Sequence, residues 1–133
     1  MPKHKLLLVD DEPSITQVLK LGLEQHGFTV EAFNDPKQAS SQFKPNYYNA
    51  IVLDVRMPGM SGFDLAKQIW AKDPNARICF LSAFEIYSKE AQKVFTNFKT
   101  HCFITKPIMP STLADHIEAH FMLVKQTDVK NKV

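Results

Sequence analysis

The sequence predicts an α/β protein with a doubly wound, five-stranded parallel sheet and five helices. Two observations predict this fold. Short apolar runs alternate along the chain with amphipathic stretches of helical period, which is the pattern of repeated strand–helix–strand units. Most of these runs are continuously apolar, as expected for strands that helices cover on both faces. Right-handed crossovers then distribute the helices over the two faces of the sheet.

The first strand, helix and second strand occupy the N-terminal part of the chain. Lys5–Val9 is an apolar run of strand length, and Ser14–His26 has the period of an amphipathic helix that Gly27 closes. The inner face of this helix is predicted to carry Ile15, Val18, Leu19 and Leu23. Thr29–Phe33, with its β-branched and aromatic residues, is predicted to be the second strand.

The middle of the chain contains two helices around a third strand. Asp35 is a good N-cap for a helix over residues 36–44, which begins with a proline. Ala50–Leu53 is the third strand, and the next helix begins near Gly62 and ends before Asp73. The inward residues of these two helices are predicted to be Ala39, Phe43, Phe63, Leu65, Ala66, Ile69 and Trp70.

The last two strands and helices follow the same alternation. Ile78–Leu81 and Cys102–Thr105 are the strands, residues 88–98 form the fourth helix, and Pro110 opens the fifth. The inward residues of these helices are predicted to be Ala91, Val94, Phe95, Phe98, Leu113, Ile117, Phe121 and Val124. Cys79 and Cys102 fall in strands and are expected to be buried thiols rather than a disulfide.

Length and composition restrict the organisation and the class of protein. The chain of 133 residues with 44% apolar residues is expected to form one domain, residues 1–124, followed by a polar tail or linker start, residues 125–133. There is no apolar run long enough for a membrane span or a secretory signal, so a cytoplasmic protein is expected. The net charge of +2 is too small to indicate nucleic-acid binding.

Polar side chains follow four of the predicted strands where each strand ends. They are Asp10 and Asp11 after the first, Asp54 after the third, Ser82 after the fourth and Lys106 after the fifth. Because the carboxyl ends of parallel strands share one edge of the sheet, these groups are expected to converge. Three carboxylates in one place repel one another, and a hard divalent cation such as Mg2+ or Mn2+ removes that repulsion.

The same collection of groups suits phosphoryl transfer. The Asp54 carboxylate can attack a phosphoryl group to form an acyl phosphate, while Lys106 and Ser82 supply a positive charge and a neutral donor. Taken singly, the acids and Ser82 are equally explained as helix caps, and Lys106 as a solvated charge. A cis bond before Pro107 would aim Lys106 into the crevice, and an ordinary trans turn is the alternative.

The segments LLLVDDE, IVLDVRMPGMSG, FLSA and FITKP together resemble the receiver domain of two-component response regulators. The resemblance covers residues 4 to 123 and implies a flavodoxin-like sheet of order 2-1-3-4-5. It implies that Asp54 is the phospho-acceptor and that Asp11, Asp54 and the Arg56 backbone carbonyl hold Mg2+, with Asp10 acting through water. It also implies that Ser82 and Lys106 bind the phosphoryl group.

The resemblance further implies a switch and a tunable lifetime. Phe103 occupies the aromatic switch position, where many relatives have Tyr. Without a hydroxyl to hold it outside, Phe103 is expected to populate its inward rotamer before phosphorylation, which would make a leaky switch. Arg56 and Phe84 flank the path of the hydrolytic water, and neither can orient that water, so slow self-dephosphorylation is expected.

Three functions remain in competition. The favoured one is a cytoplasmic signalling switch that takes a phosphoryl group from a sensor histidine kinase or phosphotransfer protein. It would act on a downstream protein or output domain through the face of the fourth helix, fifth strand and fifth helix, and it could dimerise on phosphorylation. A phosphohydrolase like the haloacid dehalogenases needs an acid two residues after the nucleophile, where Arg56 stands. A degenerate docking module usually lacks an acid or the lysine.

Overall fold

A computed structural model of the chain describes residues 4–83 and 102–122. Its single sheet has five parallel strands in the order β2-β1-β3-β4-β5, as predicted. The strands are β1 (His4–Val9), β2 (Phe28–Phe33), β3 (Ala50–Asp54), β4 (Ile78–Ser82) and β5 (Cys102–Thr105). The strands β3 and β4 are buried along their whole length, because helices cover both faces of the sheet.

Four described α-helices form the two outer layers. They are α1 (Pro13–Gln25), α2 (Pro36–Gln42), α3 (Gly62–Lys72) and α4 (Pro110–Ile117), and a π-helical turn, Glu118–Met122, continues α4. Helices α2 and α3 pack on one face of the sheet, and α1 and α4 pack on the other. Asp35 caps α2 as predicted, since its side chain accepts the Lys37 N–H.

The predicted inner faces of the helices are correct at most of the described positions, with one error on α1. Leu19 and Leu23 are buried and Ile15 is half-buried, but Val18 is 60% exposed. Residues 15, 19 and 23 repeat every four positions and follow one stripe, whereas residue 18 lies about 100° away from residue 19. The buried neighbour is instead Thr16, a polar residue that the apolar pattern did not include.

The expectation of two separate buried thiols is wrong. Cys79 and Cys102 are both buried, but they form a disulfide that joins β4 to β5. The two residues are direct register partners in the parallel pair, with their Cα atoms 4.6 Å apart. Only the pairing of the strands places the sulfur atoms side by side, because the residues are 23 positions apart in the sequence.

Several sequence predictions fall outside the described residues. These are the helix over residues 88–98, Phe84, Val124 and the polar tail 125–133. Within the described ranges, none of the helices has the length and apolar character needed to span a bilayer.

Candidate functional site

The predicted polar residues lie together at the carboxyl edge of the sheet. Asp54 and Ser82 are the last residues of β3 and β4, and Asp10 and Lys106 directly follow β1 and β5. Backbone hydrogen bonds extend the strand pairing past these ends: the Asp10 N–H donates to Phe33 and the Lys106 N–H donates to Ser82. The strand pairing therefore extends to these residues, and it fixes the positions of their backbones at this edge of the sheet.

Lys106 is the cation of the site and is not a solvated charge. Its Nζ lies 2.6 Å from Asp10 Oδ2 and 3.4 Å from Asp54 Oδ1, and its side chain is only 13% exposed. Burial by itself would lower the pKa of this ammonium, but the hydrogen bond and charge of Asp10, followed by those of Asp54, raise the pKa above 10.5. The peptide bond between Lys106 and Pro107 is cis.

Asp10 is the most enclosed carboxylate of the site. It has no exposed surface; its Oδ1 accepts the Glu12 N–H at 3.0 Å, and its Oδ2 forms the ion pair with Lys106. The first helix begins after Glu12, whose side chain makes no capping bond. Asp10 therefore holds the start of α1 through a hydrogen bond to Oδ1 and holds Lys106 through the ion pair at Oδ2, an oxygen that has no hydrogen-bond partner among the described residues.

Asp54 is a buried carboxyl group whose charged form is disfavoured by its surroundings. Burial raises its pKa to about 7, and the nearby charge of Asp10 and a hydrogen bond with Asp11 act in the same direction, while Lys106 opposes them. Lys106 lies closer to Asp10 than to Asp54, so one ammonium does not neutralise both acids. The balance of charge at the site therefore favours the binding of a further cation beside Asp54.

The donor atoms around Asp54 fit a hard divalent cation. Carboxylate oxygens of Asp10, Asp11 and Glu12 lie within 4.8 Å of one another, and Asp11 also reaches Asp54. Oxygen ligands of this kind suit Mg2+ and Mn2+. Glu12, which is exposed, was not among the residues predicted for the site, although its place in the run Asp-Asp-Glu is visible in the sequence.

The loop after β3 forms one wall beside Asp54. Arg56 is exposed and, with Val55, Met57, Pro58, Ser61 and Phe63, it lines a cleft of about 400 Å³. The start of α3 abuts this loop, since the Gly62 N–H donates to the Val55 carbonyl at 2.9 Å. A side chain at Gly62 would clash with the Asp54 carbonyl oxygen, so glycine is required for this close approach.

Ser82 and Phe103 lie on the neighbouring strands β4 and β5. Ser82 is buried at the end of β4. Phe103, on β5, is half-buried, and its ring stacks on Phe80 with centroids 5.2 Å apart and also meets Phe63 at 6.3 Å. The ring thus contacts the apolar layer between the sheet and α3. Phe84, predicted to flank the site, lies outside the described residues.

Comparisons with known proteins agree on one family. The model of the response regulator receiver domain matches residues 6–118. The transcriptional regulatory protein YvrH of Bacillus subtilis is 35% identical over 130 residues, which are 96% of this chain and 53% of that protein. The transcriptional regulatory protein RprY of Bacteroides fragilis is 30% identical over 98% of this chain and 53% of its own length. The chain therefore spans about half the length of these curated relatives.

Solved structures of similar shape support the same grouping. The non-phosphorylated HemR receiver domain of Leptospira biflexa is 31% identical, with a TM-score of 0.80 over 90% of this chain and 95% of that one. A CheY-like receiver domain protein of Methanospirillum hungatei has a TM-score of 0.81 over 94% of this chain and 98% of that one. At 22% identity the second likeness concerns the fold alone.

Proposed function

The chain belongs to the response regulator receiver domain family, and from this premise we propose that it is a signalling switch phosphorylated on Asp54. One observation carries the proposal. A buried carboxyl group with a pKa raised to about 7 lies 3.4 Å from the ammonium of Lys106, at a sheet edge that also holds a buried serine and further acids. This arrangement supports formation of an acyl phosphate rather than a purely structural ion pair.

The reaction follows from the positions of these groups. The Asp54 Oδ atom attacks the phosphorus of a phosphohistidine, a P–O bond forms, and the P–N bond to the donor imidazole breaks with the electron pair staying on nitrogen. Lys106 then contacts a phosphoryl oxygen in addition to Asp10, because its Nζ already lies between the two acids. Ser82 donates its hydroxyl hydrogen to another phosphoryl oxygen.

The acidic residues supply the metal site of this reaction. Asp11, Asp54 and the Arg56 backbone carbonyl would hold Mg2+ or Mn2+, with Asp10 linked through water. When bound, the cation neutralises charge on the phosphoryl oxygens. Glu12 lies within reach of the same cluster.

The signal would pass between proteins. The proposed donor is a sensor histidine kinase or phosphotransfer protein. The receiver would work in the cytoplasm, where that donor becomes phosphorylated. The proposed output is a downstream protein or output domain, engaged through the surface of the predicted helix 88–98, β5 and α4, or through a dimer formed on phosphorylation. The acyl phosphate also hydrolyses at the receiver itself, so the domain limits its own active state without turning over small substrates.

The test is phosphorylation by a small donor. Wild-type protein treated with acetyl phosphate and Mg2+ should gain the mass of one phosphoryl group, and peptide mapping should place that group on Asp54. Asp54→Asn should gain none. Asp115→Asn, which alters an exposed acid on α4, should be phosphorylated as the wild type is. A phosphoryl group found on Ser82 or on a histidine would contradict the proposal.

A further inference from the structure

The side chain of Asn34 continues the strand pairing at the point where the acidic segment begins. The paired register of β1 and β2 ends at Val9 and Phe33. Beyond it, the Asp10 N–H still donates to the Phe33 carbonyl at 3.1 Å, and the Asp10 carbonyl accepts the Asn34 Nδ2–H at 2.8 Å. The amide side chain thus does for Asp10 what a backbone N–H does within the ladder.

The second hydrogen of the same amide connects to the other end of the acidic segment. Asn34 Nδ2 also donates to Thr16 Oγ1 at 2.9 Å, and Thr16 Oγ1 donates to the Pro13 carbonyl at 3.0 Å. The Asp10 carbonyl can only accept, and the Thr16 hydroxyl donates its one hydrogen to the Pro13 carbonyl, so the amide nitrogen of Asn34 faces both acceptors. Asn34 is largely exposed, but Thr16 and Asp10 are buried, at 4% and 0% exposure. Asn34 therefore joins the start and the end of residues 10–13.

We propose that Asn34 and Thr16 are positioning residues that hold the Asp11 carboxylate in place for the divalent cation, an inference that rests on the proposed function. The Asp10 carbonyl and the Asp11 N–H belong to one planar peptide unit, so a bond to that carbonyl fixes the plane from which the Asp11 side chain departs. Asp10 does not depend on this bond in the same way, because Glu12 and Lys106 already hold its carboxylate. Loss of the hydrogen bond from Asn34 to the Asp10 carbonyl should therefore mainly change the orientation of Asp11, which is only half-buried.

The expected effect is a moderate loss of metal affinity. Loss of one net hydrogen bond, or of a group that orients a metal ligand, weakens metal binding about five- to tenfold. Because Asn34 and Thr16 act through one shared bond, removal of both should cost no more than removal of the more important one.

The experiment measures Mn2+ binding directly, by electron paramagnetic resonance of the free ion, on the full 133-residue chain. Asn34→Ala and Thr16→Val should each weaken binding about five- to tenfold, the double variant should not weaken it further, and Thr16→Ser should bind as the wild type does. The phosphorylation rate of Asn34→Ala at saturating Mg2+ should return to the wild-type value, since only the affinity is altered.

Asn49→Ala is the matched control. Asn49 Oδ1 accepts the Lys5 N–H at 2.8 Å, so it also holds the backbone of β1, but at the opposite edge of the sheet. Urea unfolding of the metal-free proteins should show similar losses of stability for Asn34→Ala and Asn49→Ala, while only Asn34→Ala weakens Mn2+ binding. Equal Mn2+ affinity in Asn34→Ala and the wild type, or an equal loss in Asn49→Ala, would overturn the positioning role. A wild-type protein that binds no Mn2+ would instead overturn the metal site itself.

Discussion

Asp54→Asn should stabilise the metal-free protein at neutral and alkaline pH, although it removes the proposed phospho-acceptor. In the folded protein the pKa of Asp54 is raised from 3.8 to about 7, by burial first and then by Asp10. A carboxyl group whose pKa is higher in the folded state favours folding when it is protonated. Its contribution is therefore complete below pH 3.8 and is lost as the pH rises to about 7.

The structure sets the size of the effect. A rise from 3.8 to about 7 corresponds to an upper limit of about 4 kcal/mol at pH 8. Water and relaxation at the sheet edge reduce such electrostatic costs, so a gain of about 1 to 3 kcal/mol is expected. The amide loses the contact to Lys106 at 3.4 Å, but Lys106 keeps the shorter one to Asp10, at 2.6 Å, so this loss does not reverse the gain.

The assay is urea unfolding with a chelator present, at several pH values between 5 and 8. The wild type should lose stability across this interval relative to Asp54→Asn, and the difference between the two proteins should narrow as the pH falls towards 5, because the folded-state pKa is about 7. Asp115→Asn, an exposed substitution on α4, should follow the wild type. Equal pH dependence in wild type and Asp54→Asn, or a less stable Asn variant at pH 8, would refute the assignment of the excess charge to Asp54.

Three further predictions concern the ammonium, the lifetime of the phosphorylated state and the disulfide. Lys106→Ala should still fold, but its free energy of unfolding in urea should fall by about 3 kcal/mol, because the fully buried carboxylate of Asp10 is left without its ion-pair partner. The variant should also transmit phosphorylation poorly. Unchanged stability would contradict the ion pair. Arg56→Asn combined with Phe84→Glu should shorten the half-life of the acyl phosphate, measured as the loss of the phosphoryl mass with time; an unchanged or longer half-life would contradict the idea that Arg56 and Phe84 slow hydrolysis by covering the phosphoryl group. Reduction of the Cys79–Cys102 bond, which joins residues 23 positions apart, should lower the free energy of unfolding by about 3 kcal/mol; a double alanine variant should show no effect of dithiothreitol.

Phe103 is the residue predicted for the aromatic switch position. The absence of a hydroxyl on Phe103 leads to the prediction that its ring favours the protein interior. In the structure the ring is half-buried against Phe80 and Phe63. Whether this position exchanges with a more buried one remains a prediction about the populations of two states, which ¹⁹F NMR of a fluorinated Phe103 would measure with and without phosphorylation.

The sequence pattern alone was enough to predict a parallel sheet and the edge of that sheet at which the functional residues meet, and the family resemblance implied the strand order, which the structure confirms. Short apolar runs that alternate with amphipathic helical stretches favour strands covered on both faces, and parallel strands carry their C-terminal residues to one edge. For that reason Asp10, Asp54, Ser82 and Lys106 could be placed together before any distance was known. The resemblance of four short motifs then indicated the family, which the family model confirms over residues 6–118.

The contacts between residues that are distant in the sequence are defined by the folded structure and not by the sequence pattern. Lys106 prefers Asp10 to Asp54, Cys79 is bonded to Cys102, and Asn34 reaches Asp10 and Thr16. Each of these depends on strand register or on the direction of a side chain, and both are set by packing between elements rather than by local periodicity. Periodicity indicates which residues face the core, whereas a hydrogen bond or an ion pair requires two atoms within about 3 Å of each other. That condition is met only when the whole chain is folded.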